Sequence, residues 1–292
     1  MDRFVFLTVD GLARGAVLAV FALALVMIWR AARIVNFAQG AMAVATAYAA
    51  ASITEATGSY WLGFAGALAG GLLLGVAVER GVMRLVTTTN PLSPVIVALG
   101  LVLLIQAVLG MIYGNEYRPM GTPVSRTAYV VGGVPTVSPF DLFVFGSVAA
   151  LVGLLALLFA RTSLGLRMRA AALAPEVSRL LGVNVAGMLT VGWALAAAAG
   201  TLAALLSVPT GLGLHPTAMD LVFVSAFTAA IIGGLDSPPG AVVGGLTVGL
   251  LLSYVTGYVG GELASVAVAV LLIVVLLVRP NGLIATTKAR RA

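Results

Sequence analysis

Cysteine is absent from this chain of 292 residues. That excludes a disulfide framework, a thiolate metal site and a cysteine nucleophile. Histidine occurs once, as His215, so no metal site built from several imidazoles is available. Lysine also occurs once, as Lys288. The phosphate-binding pattern GxxxxGK[ST] is therefore missing, and ATP cannot be bound through such a loop. Charge is scarce as well, at 9% of residues, against about 25% in an ordinary soluble domain. The few acids are too scattered to propose as a catalytic acid/base pair. They also form no Asp/Glu/His proton relay. No cofactor or metal is expected.

What remains is apolar. Hydrophobic residues make up 61% of the chain and the mean hydropathy is +1.13. This composition predicts an all-α integral membrane protein, a single transmembrane domain over 1–292. Nine stretches approach the roughly 20 apolar residues that a crossing needs. They run about 11–29, 37–53, 61–78, 94–112, 140–160, 187–207, 218–234, 240–258 and 263–278. The second, seventh and ninth are short, so eight to ten crossings fit. Arg3 before an apolar run imitates a secretion signal. Trp29, Arg30 and Arg33 follow that run at once, without a cleavage site in a polar flank, and an uncleaved first crossing is expected.

Basic residues set the orientation. In the nine-span arrangement Arg30, Arg33, Arg80, Arg84, Arg161, Arg167, Arg169, Arg179, Arg279, Lys288, Arg290 and Arg291 share one side. Only Arg3, Arg14, Arg118 and Arg126 take the other. The crowded side is expected to be cytoplasmic, with the N-terminus outside and the C-terminus inside. The net charge of +6 is thus a membrane signal, and no nucleic-acid partner is expected. Residues 113–139 form an extracytoplasmic loop with two β-prone runs, 128–131 and 134–137, suited to a small hairpin or to a solvated loop. Residues 161–186 form a cytoplasmic loop.

That cytoplasmic loop contains APEVSRLLGVNV. Pro175 suits the first turn of a helix, and Glu176 complements its positive end. Val177, Leu180 and Leu181 fall on one face, while Ser178 and Arg179 face elsewhere. Gly182 ends the helix as a residue able to take positive φ. About two turns cannot be stable alone. The apolar face lies on the bilayer or on the chain's own helices, or it docks in a groove of a soluble partner.

Two further segments interrupt apolar runs. In RIVNFAQGAMAVATAYAA, Asn36, Gln39 and Gly40 follow the first span. Amides at membrane depth need partners, so these face the interior or a watery path unless the segment is an interfacial turn. In IIGGLDSPPGAVVGGLTVGL, Gly233, Gly234, Asp236, Ser237, Pro238, Pro239 and Gly240 break two runs. Interrupted segments in both halves point toward a translocation path. Asp236 reads as a loop or capping carboxylate. Gln106 deep in the fourth span and Thr228 in the seventh complete the candidate path with Asn36 and Gln39. Gln106 alone also fits an interhelical hydrogen bond. Asp220, His215, Trp193 and Ser207 are further polar or aromatic groups in or near spans.

These segments resemble landmarks of the permease subunits of branched-chain amino acid ABC importers. RIVNFAQGAMAVATAYAA resembles the first signature, GLRMRAAALAPEVSRLLGVNV the cytoplasmic loop, and AAAAGTLAALL and IIGGLDSPPGAVVGGLTVGL the next two. The resemblance implies a pore shared with a second permease subunit, usually a paralogue. It also implies two cytoplasmic ABC ATPases and a periplasmic or tethered solute-binding protein, assembled in the bilayer of a bacterial inner membrane. The short charged helix becomes the coupling helix, with Glu176, Leu181, Gly182 and Asn184 matching its motif and Val177, Arg179 and Leu180 beside them. Pro175, Gln39 and the run Asp236-Ser237-Pro238 depart from the family pattern. They leave the solute open among branched-chain amino acids, amides, urea and other small molecules. The alternative is a stand-alone secondary carrier or channel, which would work without an ATPase and be indifferent to Glu176 and Gly182.

Overall fold

The computed structural model describes residues 2–86, 92–131, 134–279 and 282–284. Lys288, Arg290 and Arg291 of the expected cytoplasmic cluster lie outside them. Eleven α-helices follow in order among the described residues. They are α1 (Asp2–Ala32), α2 (Gln39–Thr57), α3 (Tyr60–Gly81), α4 (Ser93–Tyr113), α5 (Pro139–Arg161), α6 (Ser163–Leu173), α7 (Pro175–Leu180), α8 (Val185–Ser207), α9 (Asp220–Gly233), α10 (Pro238–Tyr258) and α11 (Ala264–Val278).

Each of the nine apolar stretches overlaps a helix, but among the described residues seven helical segments have the length and hydropathy of a crossing. The other two are α2 and α9. At 1.5 Å per residue the 14 residues of α9 reach about 21 Å, short of the roughly 30 Å hydrocarbon core. At 19 residues α2 is long enough and falls below a crossing in hydropathy, and both helices are entered through non-helical chain that carries buried residues. Asn36 and Ala38 precede α2, and Leu214 and Met219 precede α9, all essentially without exposure. Irregular backbone is tolerated at membrane depth only where protein covers it in this way. Apolar composition alone cannot tell burial in lipid from burial in protein, hence the expectation of nine.

Two helices form the core. The most apolar stretch of α1 is 89% buried and that of α8 is 78% buried, against 11–39% for the other five candidate crossings. α1 packs antiparallel to α10 through glycine. A Cβ added at Gly245 would lie 2.4 Å from the Ala19 Cα, and one at Gly249 would lie 2.2 Å from the Gly15 Cα. Backbones meet at this seam, as small residues permit in membrane bundles. One end of the seam is pinned by polar groups. The Ser253 hydroxyl bonds the Leu7 carbonyl (2.7 Å) and the Asp10 carboxylate (2.9 Å). Arg3 donates to the Gly257 carbonyl.

The α9–α10 turn is equally tight. Gly234 takes a φ of 98°, and Gly233 and Gly240 face each other so closely that a Cβ on either would lie 2.0 Å from the other's carbonyl oxygen. Ser237 caps α10 by accepting from Gly240 N (3.1 Å), with Pro238 in the first turn. The cap is therefore Ser237. Asp236 is free to reach across the turn to Arg33.

The 113–139 segment contains the small hairpin. Strand β1 (Val130–Val131) pairs antiparallel with β2 (Val134–Pro135), extended by Tyr129 N to Val137 O (2.9 Å). Arg118 and Leu214 exchange backbone bonds of 3.0 and 2.7 Å, and Arg126 donates to Pro209 O at 2.6 Å. The hairpin loop is thus sewn to the chain that leads into α9. The 161–186 segment holds more helix than its sequence suggests, with α6 preceding α7. Thr162 starts α6 by accepting from Gly165 N at 3.1 Å.

Candidate coupling and translocation site

α7 is six residues long, closer to one and a half turns than two. Pro175 occupies its first turn and Glu176 lies beside it. Gly182 follows with φ +80°. Its N–H donates to Arg179 O (3.0 Å) and Val183 N–H donates to Ser178 O (2.9 Å), closing the C-terminal turn. Asn184 then opens α8, its Oδ1 accepting from Gly187 N at 2.9 Å. Every step from α7 into α8 is therefore tied by hydrogen bonds.

The apolar face of α7 points outward. Val177 is 56% exposed, Leu181 78% and Leu180 88%, while Ser178 is buried on the opposite side. Burying a leucine fully stabilises a contact by about 1.5–3 kcal/mol, so this face gains from any apolar surface that covers it. Basic groups gather at the end of α1 and on α6. Arg30, Arg33 and Arg169 line a cavity of about 230 Å³ with Ala172 and Leu173. Arg33 is also the partner of Asp236, at 2.6 Å.

One turn into α8 lies a buried charge cluster that sequence reasoning missed. Glu79 on α3 has no exposure. Both of its carboxylate oxygens accept from Arg84, at 3.0 and 2.9 Å. Thr190 on α8 donates to the same carboxylate at 2.7 Å, and Arg84 also reaches the Thr190 hydroxyl at 2.8 Å. Glu79 is the only acid in α3. That isolation, with an arginine five residues on, was the available signal.

The amides meet α8 at its midpoint. Gln39 is wholly buried and its Nε2 donates to Ala196 O at 2.8 Å. Asn36 Nδ2 donates to Gln39 Oε1 (2.9 Å), and Asn36 Oδ1 accepts from Ala38 N (3.1 Å). Gly200 makes room for this clamp, since a Cβ there would sit 2.3 Å from the Gln39 Nε2. One turn further along, the Thr46 and Thr201 hydroxyls share a bond of 2.9 Å. Because Ala196 is central in α8, the Asn36–Gln39 pair lies deep within the bundle rather than at an interfacial turn. Phe37 packs on Phe223 and Phe227, and Gly40 lies against Met219 and Phe223. These contacts bring together the start of α2 and the first half of α9.

The remaining candidates sit apart. Gln106 donates to both oxygens of Asp220, at 3.0 and 3.2 Å, which ties α4 to the first residue of α9. Thr228 is buried within α9. No hydrogen bond joins either to the Asn36–Gln39 pair among the described residues. His215 stacks on Tyr117 at 4.7 Å and bonds Thr217 (2.8 Å), a local arrangement of the loop.

Comparison with known proteins completes the picture. The chain is 28% identical to the high-affinity branched-chain amino acid transport system permease protein BraD of Pseudomonas aeruginosa, over 97% of this chain and 96% of that protein. It is also 28% identical to the LivH permease protein of Escherichia coli, with the same coverage. A probable LivH of Methanocaldococcus jannaschii is 27% identical over 80% of this chain and 75% of that protein. In fold, the chain is similar to a solved structure of PsaBC from Streptococcus pneumoniae in complex with Fab, with a TM-score of 0.50 and 13% identity. That match covers 96% of this chain and 91% of that one. The family profile for the permease component of the branched-chain amino acid transport system matches residues 7–278, and this multi-pass membrane chain belongs to that family.

Proposed function

We propose that the chain is the pore-forming permease subunit of a bacterial ABC importer for branched-chain amino acids or closely related small solutes, and that α7 is its coupling helix. Two cytoplasmic ATPases would bind beneath it, with a second permease, a paralogue, completing the pore. A solute-binding protein would deliver the substrate from outside the inner membrane. The observation that carries this reading is the outward apolar face of α7, joined through the hydrogen-bonded Gly182–Asn184 corner to the buried helix α8.

The mechanism follows from that connection. ATPase closure pushes on Val177, Leu180 and Leu181. The Gly182–Asn184 corner passes the push to α8. Along α8 it meets the Glu79–Arg84–Thr190 cluster first and the Gln39–Ala196 bond second. The second tie holds the chain before α2 at the depth where the path must open and close. Inverting such an equilibrium from 1:99 to 99:1 takes about 5.5 kcal/mol.

Nine crossings with the N-terminus outside and the C-terminus in the cytoplasm fit this scheme. Contacts between loops support it, because each joins residues assigned to one side. Arg33 meets Asp236 on the inner side. Arg118 meets Leu214, Arg126 meets Pro209 and Arg3 meets Gly257 on the outer side. In this reading α2 and α9 complete their crossings with the buried chain before them.

A co-purification tests the proposal. The chain is co-expressed with the ATPases encoded beside it and captured by a C-terminal tag. Wild type is compared with a double variant, Glu176→Arg plus Leu181→Asp. The wild type should retain an ATPase, and the variant should stay monodisperse and lose it. An ATPase retained equally by both would remove α7 from the coupling role. Solute transport by the chain alone in proteoliposomes would favour a stand-alone carrier.

A further inference from the structure

Neither the Gly182–Asn184 corner nor the amide clamp uses the arginine-lined cavity where α1 ends beside α6. Arg30 lines it from α1, Arg33 from the turn that follows, and Arg169, Ala172 and Leu173 from α6. Three guanidinium groups therefore face one volume of about 230 Å³. One carboxylate answers them, that of Asp236, and it meets Arg33 at 2.6 Å. Arg30 and Arg169 form no hydrogen bond or ion pair among the described residues. The cavity is thus left with uncompensated positive charge.

The backbone holds one of these arginines in place at a cost. Arg33 takes a φ of 57°, the only positive value at a non-glycine among the described residues. Its N–H donates to Trp29 O at 2.8 Å and closes the last turn of α1. Glycine ends a helix in this conformation without strain, and arginine does not. Nothing in the turn itself calls for a guanidinium, so the side chain is explained by what it reaches. It reaches Asp236, lies 5.9 Å from the centre of the Trp29 ring and lines the cavity.

The chemistry asks for a phosphate. Guanidinium groups pair with phosphate oxygens two at a time, and an anion between crowded cations relieves their repulsion. A cavity of roughly 150 Å³ holds benzene, so this larger one takes a phosphate with the glycerol that carries it. The surroundings ask for a lipid. Leu173 is 67% exposed beside the arginines. Trp29 is partly buried next to them, and tryptophan is the aromatic of the membrane–water boundary. A basic pocket between helices, with an apolar edge at that boundary, fits the headgroup of an anionic phospholipid.

We propose that this cavity binds the phosphodiester of an anionic phospholipid. Arg30 and Arg169 donate to the phosphate oxygens, Asp236 and Trp29 hold Arg33 beside them, and the acyl chains leave past Leu173. The bound lipid ties α6 to the end of α1. Because α6 leads directly into α7, it also braces the helix assigned to coupling. That last consequence, and the assignment to the cytoplasmic leaflet, rest on the importer reading above.

The test is native mass spectrometry of the full chain in detergent. Phosphatidylglycerol or phosphatidylcholine is titrated in, two lipids with the same acyl chains and different net charge. Wild type should bind phosphatidylglycerol saturably and prefer it. Arg30→Gln with Arg169→Gln should weaken that binding about thirtyfold and leave phosphatidylcholine unchanged. Arg30→Lys with Arg169→Lys keeps the charge without the planar fork and should fall between. Arg80→Gln, at an exposed cation in the last turn of α3, should behave as wild type. An unchanged melting temperature in phosphatidylcholine shows that each variant is folded. If the glutamine variant does not fold, the lysine variant and the comparison of lipids on wild type still decide. Equal binding of both lipids by wild type would overturn the proposal, as would a preference that folded double variants leave unchanged. Inorganic phosphate added at constant ionic strength should not displace the lipid. Displacement by it would assign the site to a soluble anion instead. ATPase retention is measured separately. An ATPase retained without any lipid preference leaves the importer reading standing and removes only the lipid site.

Discussion

The two buried helices combine close packing and polar ties in different proportions. α1 is fixed along much of its length by contact of backbone on backbone with α10, through Gly11, Gly15 and Ala19 against Gly245, Leu246, Gly249 and Leu250. α8 has its own close seam, at Gly75 of α3, where a Cβ would lie 2.5 Å from Trp193 O and 2.8 Å from the Ala194 Cα, and adds polar ties along its length: Asn184 at its cap, Thr190 to Glu79, Ala196 to Gln39 and Thr201 to Thr46. Close packing is stiff in every direction and fails only by coming apart. Hydrogen bonds are directional and can be exchanged one at a time. The difference lies in where the polar ties fall: those of α1 gather at one end of its seam, and those of α8 are spread along its length. α8 is also the one that continues directly from α7.

The comparison breaks most severely at the glycine seam. Gly249→Leu places a side chain where the backbone of Gly15 already lies. It should cost about 3 kcal/mol or more, seen as loss of a monodisperse chain and a lowered melting temperature. Gly70→Leu, at a helical glycine with open space around it, should leave both unchanged. Equal behaviour of the two variants would show that the α1–α10 contact is not rigid.

The polar ties should grade downward from there. Removing one partner of a buried ion pair costs about 3–5 kcal/mol. Arg84 is 40% exposed in its side chain, so solvent screening reduces the expectation for Glu79→Ala to about 2–3 kcal/mol. Glu79→Gln, which keeps some hydrogen bonds, should cost less on the same melting curve. Gln39→Ala leaves Ala196 O and the Asn36 amide without their partner. It should cost about 1–3 kcal/mol and reduce uptake while the ATPase remains bound. Asn184→Ala removes a helix cap worth about 1 kcal/mol and should lower uptake per ATP hydrolysed with little change in melting. If Gln39→Ala instead lost the ATPase and kept its transport efficiency, the order of events along α8 would be wrong.

How much of this was legible depends on whether a signal is local. Pro175, Glu176 and Gly182 announce the start and end of α7 through chemistry acting within one turn, and the helix lies where they place it. Asn36 and Gln39 are conspicuous as amides among apolar neighbours. Their partner is not, because Ala196 acts through a backbone carbonyl that every residue possesses. Gln106 and Asp220 were each visible, but their pairing joins positions 114 residues apart. Glu79 was hidden by Arg80 and Arg84, which made the end of α3 resemble an ordinary membrane boundary. α2 and α9 were legible as apolar helices. Their fit as crossings was not, since α2 has the length without the hydropathy and α9 is cut short by buried chain that carries no distinct composition. Asp236 had the position of a cap, and Ser237 beside it took that role.

The most direct test of the central claim uses the chain's lack of cysteine. A single cysteine is introduced as Leu181→Cys on α7 or, in a second variant, as Leu103→Cys on α4. Both positions are exposed apolar side chains, 78% and 69%. In membranes containing the assembled importer, a short bifunctional thiol–amine reagent should join the α7 position to an ATPase subunit, and ATP should change the yield. The α4 position, facing lipid or the second permease, should give no ATPase adduct. No adduct from α7, or equal adducts from both, would contradict the assignment of α7 as the coupling helix.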